Sequence, residues 1–291
     1  MKRNAFVFFN TWRCFLNCSY CDYKTKDYAD DGSYTLECFG NSFRIDEEYH
    51  WAYWLALLNR FRPYHLDFCG GEPLIYDGLL EMIDHFPRGC TWAMTSNTLA
   101  SEVIKRISPI GSVAWTASDH FTREDMFINN LWILRRKGFS VRVTMVFTPE
   151  NYKAVLDKMK RYQEMKIGIN LHPLFKQGFS WYDHNNVYDE VKQKAVEMNN
   201  NNSINFIGAI NKRFKGEGRH PACPGGANFF SLSPDGKVYR CVSSYVVLNK
   251  EPIGHIKDVE PSKLAQPCEG GCVFTCDFDC RGGRWEGEVN V

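Results

Sequence analysis

The sequence predicts an α/β fold: a partial (β/α)6 TIM-like barrel followed by a small C-terminal cysteine-rich β-hairpin and loop domain. Three observations carry this expectation. From residue 7 to 175, six short strand-like runs alternate with longer helical stretches, which is the pattern of strand, helix, strand units and a parallel sheet. Three thiols, Cys14, Cys18 and Cys21, follow directly on the first run. Beyond residue 216 the pattern changes to a hairpin signature around Pro234-Asp235-Gly236, with cysteines on either side. The chain therefore divides into a barrel core over 1–180, a connecting helix or lid segment over 181–215, and a cysteine-rich end over 216–291.

Taken in order, Lys2 to Asn10 reads as the first strand, feeding the thiol loop. YTLECF and NSFRI pair across a Gly-Asn turn as a hairpin that would cover that loop. Asp46 has the chemistry of an N-cap for a helix EEYHWAYWLALLNRF that stops at Pro63, with His50 a packing or surface residue on it. HLDFCGG is the second strand, ending in glycines. A helix from Gly78 to His85, the strand CTWAMTSN, a helix from Ser101 to Ile107 and the strand SVAWTAS follow. SDHFTRED opens a helix that ends at Gly138, with Arg135, Arg136 and Lys137 in its last turn to complement the helix dipole. FSVRVTMVF is a strand, a helix starts near Pro149, and IGINLHPLF is the sixth strand. The stretch from Lys176 to Phe214 is polar, with one helix near Asp189 to Met198. Its basic piece NKRFKGEGR is either a solvated face or a dock for an acidic or phosphorylated substrate. Ligand sites on such sheets lie at the C-terminal ends of strands, where Cys14, Gly70, Asn97, Ser118 and His172 all fall.

Composition narrows the function classes. Apolar residues are 44 % and aromatics 15 % of the 291, enough for a large core. Lys plus Arg number 35 against 34 Asp plus Glu, and this balance argues against a nucleic-acid-wrapping surface. The apolar run in MKRNAFVFF is too short for a secretory signal and no run reaches membrane-spanning length, so a cytoplasmic location is expected. Twelve cysteines in a reducing compartment read as metal ligands more readily than disulfides. Nine are grouped, at 14, 18, 21, 223, 241, 268, 272, 276 and 280; Cys38, Cys69 and Cys90 are scattered and read as buried packing.

Cys14, Cys18 and Cys21 form a ligand loop, since neither a helix face nor a strand face needs thiols at spacings of four and three. Soft thiolates this close suit zinc or an iron-sulfur cluster. A set of three suggests a [4Fe-4S] cluster with one iron open to a non-protein ligand. A zinc site completed by Cys38 or a distant histidine is the alternative.

C-x3-C-x2-C with Tyr20 before the third cysteine, CGGEPL at 69–74 and TSN at 95–97 together resemble the radical S-adenosylmethionine superfamily. The resemblance implies that the amino and carboxylate groups of S-adenosylmethionine chelate the open iron and that its reductive cleavage releases a 5'-deoxyadenosyl radical. By the same resemblance Tyr20 belongs to the cofactor site, and Gly70, Gly71 and Glu72 form the loop that holds the methionine amino group. Asn97, with Ser96 beside it, would bond the carboxylate or ribose, the alternative for Asn97 being an N-cap of the next helix. Ser118 and Arg123 match residues that hold the ribose or carboxylate, and the backbone at Leu171 would run beside the adenine. Asp119-His120-Phe121 departs from the turn usual in related enzymes.

The stretch Cys223 to Cys241 resembles the opening of the SPASM or shorter twitch domains that carry auxiliary iron-sulfur clusters. Cys268, Cys272, Cys276 and Cys280, each four apart, depart from the full pattern. One auxiliary [4Fe-4S] cluster on Cys223, Cys241 and two of the last four is the first expectation; two clusters with three thiolates each or with His220 added, or zinc, are the alternatives. The function implied is hydrogen abstraction from a ribosomally made peptide, forming a thioether, a crosslink or an epimer, with flavodoxin or ferredoxin as the reducing partner. Oxidation of a small alcohol or amino sugar and a non-enzymatic zinc-stabilised binding protein are the other readings. His120, His172 and Tyr182 lie near the open end as possible bases or donors, and Cys38 and Cys90 are further hydrogen-donor candidates.

Overall fold

In chain order, β1 (Asn4–Thr11) is followed by three short strands, β2 (Lys24–Lys26), β3 (Tyr34–Cys38) and β4 (Asn41–Ile45), and then by α1 (Trp51–Leu58) and β5 (Tyr64–Gly70). Alternating elements follow: α2 (Leu79–Asp84), β6 (Thr91–Ser96), α3 (Ser101–Arg106), β7 (Ser112–Asp119), α4 (Glu124–Arg136), β8 (Val141–Phe147), α5 (Tyr152–Glu164) and β9 (Gly168–Pro173). The chain continues through α6 (Asn186–Met198), β10 (Ile204–Phe206), β11 (Phe229–Leu232), β12 (Lys237–Tyr239) and β13 (Gly254–His255). The computed structural model describes residues 4–18, 20–21, 23–38, 40–174, 186–198, 204–206, 225–226, 228–247 and 249–260.

The six expected strands are present and parallel, in the order β9-β8-β7-β6-β5-β1 at the middle of a ten-stranded sheet. Burial alternates along β7, β8 and β9, so each presents one face to the helices and leaves the other half-exposed. Trp115, Ala117, Val143, Met145, Ile169 and Leu171 lie on the helix side, in one continuous core. Thr116, Ser118, Thr144, Asn170 and His172 alternate with them and form a polar concave face.

Two segments add to this sheet beyond the expectation. Part of the stretch read as a connection or lid supplies α6 and β10, and β10 pairs parallel with β9 as a seventh strand. Val191 and Ala195 of α6 are buried in the main core. The C-terminal hairpin also joins the sheet: β11 pairs parallel with β1, with Phe6 opposite Phe230, and β12 runs antiparallel beyond it. The reason is burial on both faces, since every residue of β11 is buried and β1 would otherwise present a bare apolar edge.

The hairpin β3-β4 forms as expected and gains β2 as a third strand. This small sheet packs Tyr34, Leu36, Cys38 and Ile45 against Phe9, Trp12, Tyr239 and Tyr245, making a second core at the base of the thiol loop. Contact with the loop itself comes from Lys24, whose Nζ donates to the Cys18 carbonyl at 3.0 Å and to Asn17 Oδ1 at 2.9 Å.

The first helix begins later than the sequence suggests, at Trp51, with His50 in place of Asp46 as the N-cap. His50 Nδ1 accepts from the Ala52 amide. The preceding residues are drawn into tertiary contacts that a helical turn would forbid. Glu48 accepts from Thr11 and Tyr34 and pairs with Arg13. The Tyr49 amide donates to the Pro234 carbonyl at 3.0 Å, and Asp46 takes Lys237 at 3.4 Å.

Candidate functional site

The thiol loop leaves the C-terminal end of β1, and the Gly-Gly-Glu loop leaves the C-terminal end of β5 beside it. Two backbone hydrogen bonds tie them: Gly71 N donates to Thr11 O at 3.0 Å, and Glu72 N to Arg13 O at 2.8 Å. Both glycines are needed for this approach. A Cβ on Gly70 would stand 2.1 Å from the Thr11 carbonyl oxygen, and one on Gly71 2.2 Å from that of Trp12 and 2.4 Å from that of Arg13. Gly70 also has φ of +137°, a conformation that excludes a side chain by itself. In this structure the pair serves first to seat one loop on the other.

Glu72 is completely buried. Its Oε1 accepts from Ser96 Oγ at 2.7 Å and from the Leu74 amide at 3.0 Å, and its Oε2 accepts from the Asn97 amide at 2.7 Å. Burial pushes its pKa up to about 7 against the pull of these three donors. The carboxylate thereby locks the exit of β6 to the exit of β5. Asn97 does not cap the next helix, whose N-cap is Ala100 without a side-chain bond. Instead its Oδ1 accepts from the Leu99 amide at 3.0 Å, and its buried Nδ2 has no hydrogen-bond partner among the described residues. An orphaned donor of this kind costs stability unless something fills it.

Cys14 is exposed, and Cys18 and Cys21 are half-buried. The Cys18 pKa is raised by burial first and then by the charge of Cys21, and Cys14 feels both other thiols, so the three sulfurs share one electrostatic environment. Among the described residues no group of three or more His, Cys, Asp or Glu side chains already stands as a metal cage. The donor set nevertheless fits a cluster: three soft ligands on one short loop, beside a loop of backbone groups and an unpaired amide. Cys38 and Cys90 are not part of it, being packed in the two cores as expected. Cys69 is half-buried and contacts the second core from the concave side.

Tyr20 and His120 meet at this loop. Their rings stack in parallel, and His120 Nδ1 lies 2.8 Å from Tyr20 Oη and 3.3 Å from Cys18 Sγ. Burial holds the His120 pKa below its usual value, partly offset by Asp119. Ser118 is half-buried on the concave face, in register with Thr144. Arg123 is exposed at the N-cap of α4 with φ of +49°. The Leu171 side chain points into the helix-side core, so only its backbone serves the sheet edge. His172 lies on the concave face, its pKa pushed down to about 4 by burial. Cys241 is half-buried, with Ser244 bonded to its sulfur through both N and Oγ. Cys223, Cys268, Cys272, Cys276, Cys280, Tyr182, His220 and the stretch NKRFKGEGR lie outside the described residues.

Sequence reasoning missed three carboxylates. Glu48 clamps the stem of the thiol loop through Thr11, Arg13 and Tyr34. Asp119 is buried under the β7 exit, where it accepts from the Phe121 amide at 2.8 Å, Lys158 Nζ at 2.7 Å and Tyr162 Oη at 2.6 Å. Asp67 faces the concave side of β5, its pKa pushed up to about 7 by burial. Only Asp119 carried a local signal, an Asx turn ahead of His120 and Phe121.

Among solved structures, Streptococcus suis SuiB bound to the precursor peptide SuiA matches with TM-score 0.61 and 13 % identity, over 89 % of this chain and 63 % of that one. Native anSMEcpe with bound AdoMet matches with TM-score 0.59 and 16 % identity, over 87 % and 78 %. The chain shares its fold with AdoMet-binding proteins. SuiB too has been solved with S-adenosylmethionine, and this chain spans under two thirds of its length. No family model matches the sequence, and no curated protein does. At these identities the likeness establishes the architecture, a largely parallel α/β partial barrel.

Proposed function

We propose that this chain is a radical S-adenosylmethionine enzyme that abstracts hydrogen from a ribosomally made peptide. One observation carries the reading: the thiol loop, the Gly-Gly-Glu loop and Asn97, whose side-chain Nδ2 has no partner among the described residues, are welded together at adjacent strand ends. When bound, a [4Fe-4S] cluster with one open iron supplies the electron that cleaves S-adenosylmethionine to a 5'-deoxyadenosyl radical. Cys14, Cys18 and Cys21 would hold that cluster. Gly70 and Gly71 would bring backbone groups to the methionine end, and Glu72 fixes Ser96 and the Asn97 backbone so that Asn97 Nδ2 would donate to the cofactor's carboxylate or ribose. Tyr20 closes one side, with Ser118, Arg123 and the Leu171 backbone as further contacts. Cys223, Cys241 and two of Cys268, Cys272, Cys276 and Cys280 would hold an auxiliary iron-sulfur cluster. Flavodoxin or ferredoxin is the reductant of matching chemistry.

The concave face along β7 to β9 is polar and partly exposed, with Thr116, Ser118, Thr144 and Asn170 as hydrogen-bonding groups that suit a peptide backbone. SuiB with its precursor peptide and anSMEcpe with the Kp18Cys peptide share this architecture, which favours a peptide over a small alcohol or amino sugar. The test is anaerobic reconstitution of the full chain followed by reduction with S-adenosylmethionine present. Wild type should bind iron and sulfide and release 5'-deoxyadenosine, and Cys18→Ala should release none. Iron-loaded wild type that yields no 5'-deoxyadenosine would sink the proposal. For the substrate class, 5'-deoxyadenosine release that rises with an alcohol or amino sugar and not with candidate peptides counts against a peptide.

A further inference from the structure

Among the described residues, the His120 side chain reaches a thiol of the loop from outside it. His120 Nδ1 is 3.3 Å from Cys18 Sγ and 2.8 Å from Tyr20 Oη, and the His120 and Tyr20 rings lie 6.0 Å apart with 5° between their planes. The position of His120 is dictated from behind. Asp119 beside it is buried, accepts from Tyr162 and Lys158 of α5, and caps the turn through the Phe121 amide. The imidazole is thus held against Cys18 by the framework.

A metal-bound thiolate accepts hydrogen bonds and cannot donate them. With Cys18 ligated, the contact at 3.3 Å is therefore favourable only if Nδ1 carries the hydrogen; the Tyr20 hydroxyl lies against both His120 Nδ1 and Cys18. A donor to a ligand sulfur draws charge from the cluster and favours its reduced form. We propose that His120 is a positioning residue whose Nδ1 donates to the Cys18 sulfur and sets the ease of reduction of the group held by Cys14, Cys18 and Cys21. The inference rests on the radical enzyme reading above.

The test uses the full chain, reconstituted anaerobically without S-adenosylmethionine, as wild type, His120→Ala and His120→Asn. Iron per chain is measured first. The ratio of reduced to oxidised cluster is then read by electron paramagnetic resonance at one fixed solution potential, with the Cys14, Cys18 and Cys21 triple alanine variant as background for any other cluster. At equal iron, His120→Ala should show a ratio about tenfold lower than wild type, the loss expected for one hydrogen bond to a charged acceptor. His120→Asn places an amide donor near the Nδ1 position and should stay within about twofold of wild type. A His120→Ala ratio equal to wild type overturns the inference. So does a folded His120→Ala chain that fails to take up iron, because His120 would then act in assembly. A wild type that binds no iron overturns the radical enzyme reading itself, and that outcome is told apart by the iron measurement alone.

Discussion

Replacing Gly71 with alanine tests the join on which the site depends. The new Cβ would stand 2.2 Å from the Trp12 carbonyl oxygen and 2.6 Å from the Trp12 carbonyl carbon, and all three nearest atoms are backbone that cannot swing aside. Ordinary contact needs about 3.4 Å, so the stem of the thiol loop must retreat by roughly 1 Å. Such a shift breaks or weakens the bonds from Gly71 N to Thr11 O and from Glu72 N to Arg13 O. Two buried backbone bonds at about 1 to 1.5 kcal/mol each give a loss of about 3 kcal/mol. Gly89→Ala is the control: its φ of +82° imposes a strain of about 1 kcal/mol, but nothing lies within 4 Å of the added atom. For a chain of this size the thermal midpoint should fall by about 6 °C in Gly71→Ala and about 2 °C in Gly89→Ala, measured by calorimetry on the full chain. Iron uptake after reconstitution should also fall in the first variant and hold in the second. Equal midpoints for the two variants would refute the claim that the glycines seat one loop on the other.

Three other outcomes are expected. Asp119→Ala leaves Lys158, whose side chain is only 11 % exposed, without its main counter-charge and should cost about 3 to 5 kcal/mol in denaturant unfolding; adding Lys158→Met should recover part of this. Asp67 holds its proton up to about pH 7 in the folded chain because it is buried, well above the ordinary aspartate value of about 3.9. The folded state then binds more protons than the unfolded one, and stability should fall as pH rises from about 4 to 7, by about 2 kcal/mol once partial exposure is allowed for. Asp67→Asn should make that part of a stability-against-pH curve less steep, with buried Glu72, also raised to about 7, supplying the slope that remains. Glu48→Ala removes the acceptor of Thr11, Tyr34 and Arg13 and should lower stability by about 2 kcal/mol, with Glu48→Gln restoring the share due to the two hydroxyls.

Much of the barrel was legible because its signals are local. The β-branched runs gave β7, β8 and β9 within a residue or two, and Gly138, with φ of +94°, ends α4 as its placement after three basic residues suggested. The start of α1 was misread because Asp46 is a competent cap by chemistry, while Glu48 and Tyr49 are held in contacts with Thr11, Arg13, Tyr34 and Pro234. No window of neighbouring residues contains those partners. β11 was recognised as a hairpin arm, but its place beside β1 depends on a parallel pairing across most of the chain.

By itself the sequence determined what is written in periodicity and spacing: alternating strands and helices, the grouping of Cys14, Cys18 and Cys21, and the glycines that follow β5. Each is a property of a few consecutive residues, set by backbone sterics and side-chain chemistry. Only the tertiary structure decided which groups meet: Glu72 with Ser96 and Asn97, Gly71 with the Trp12 carbonyl, Glu48 with Arg13, and His120 with Cys18. Those pairings follow from the order and register of parallel strands, which place the exits of β1, β5, β6 and β7 along one edge whatever their distance in the chain.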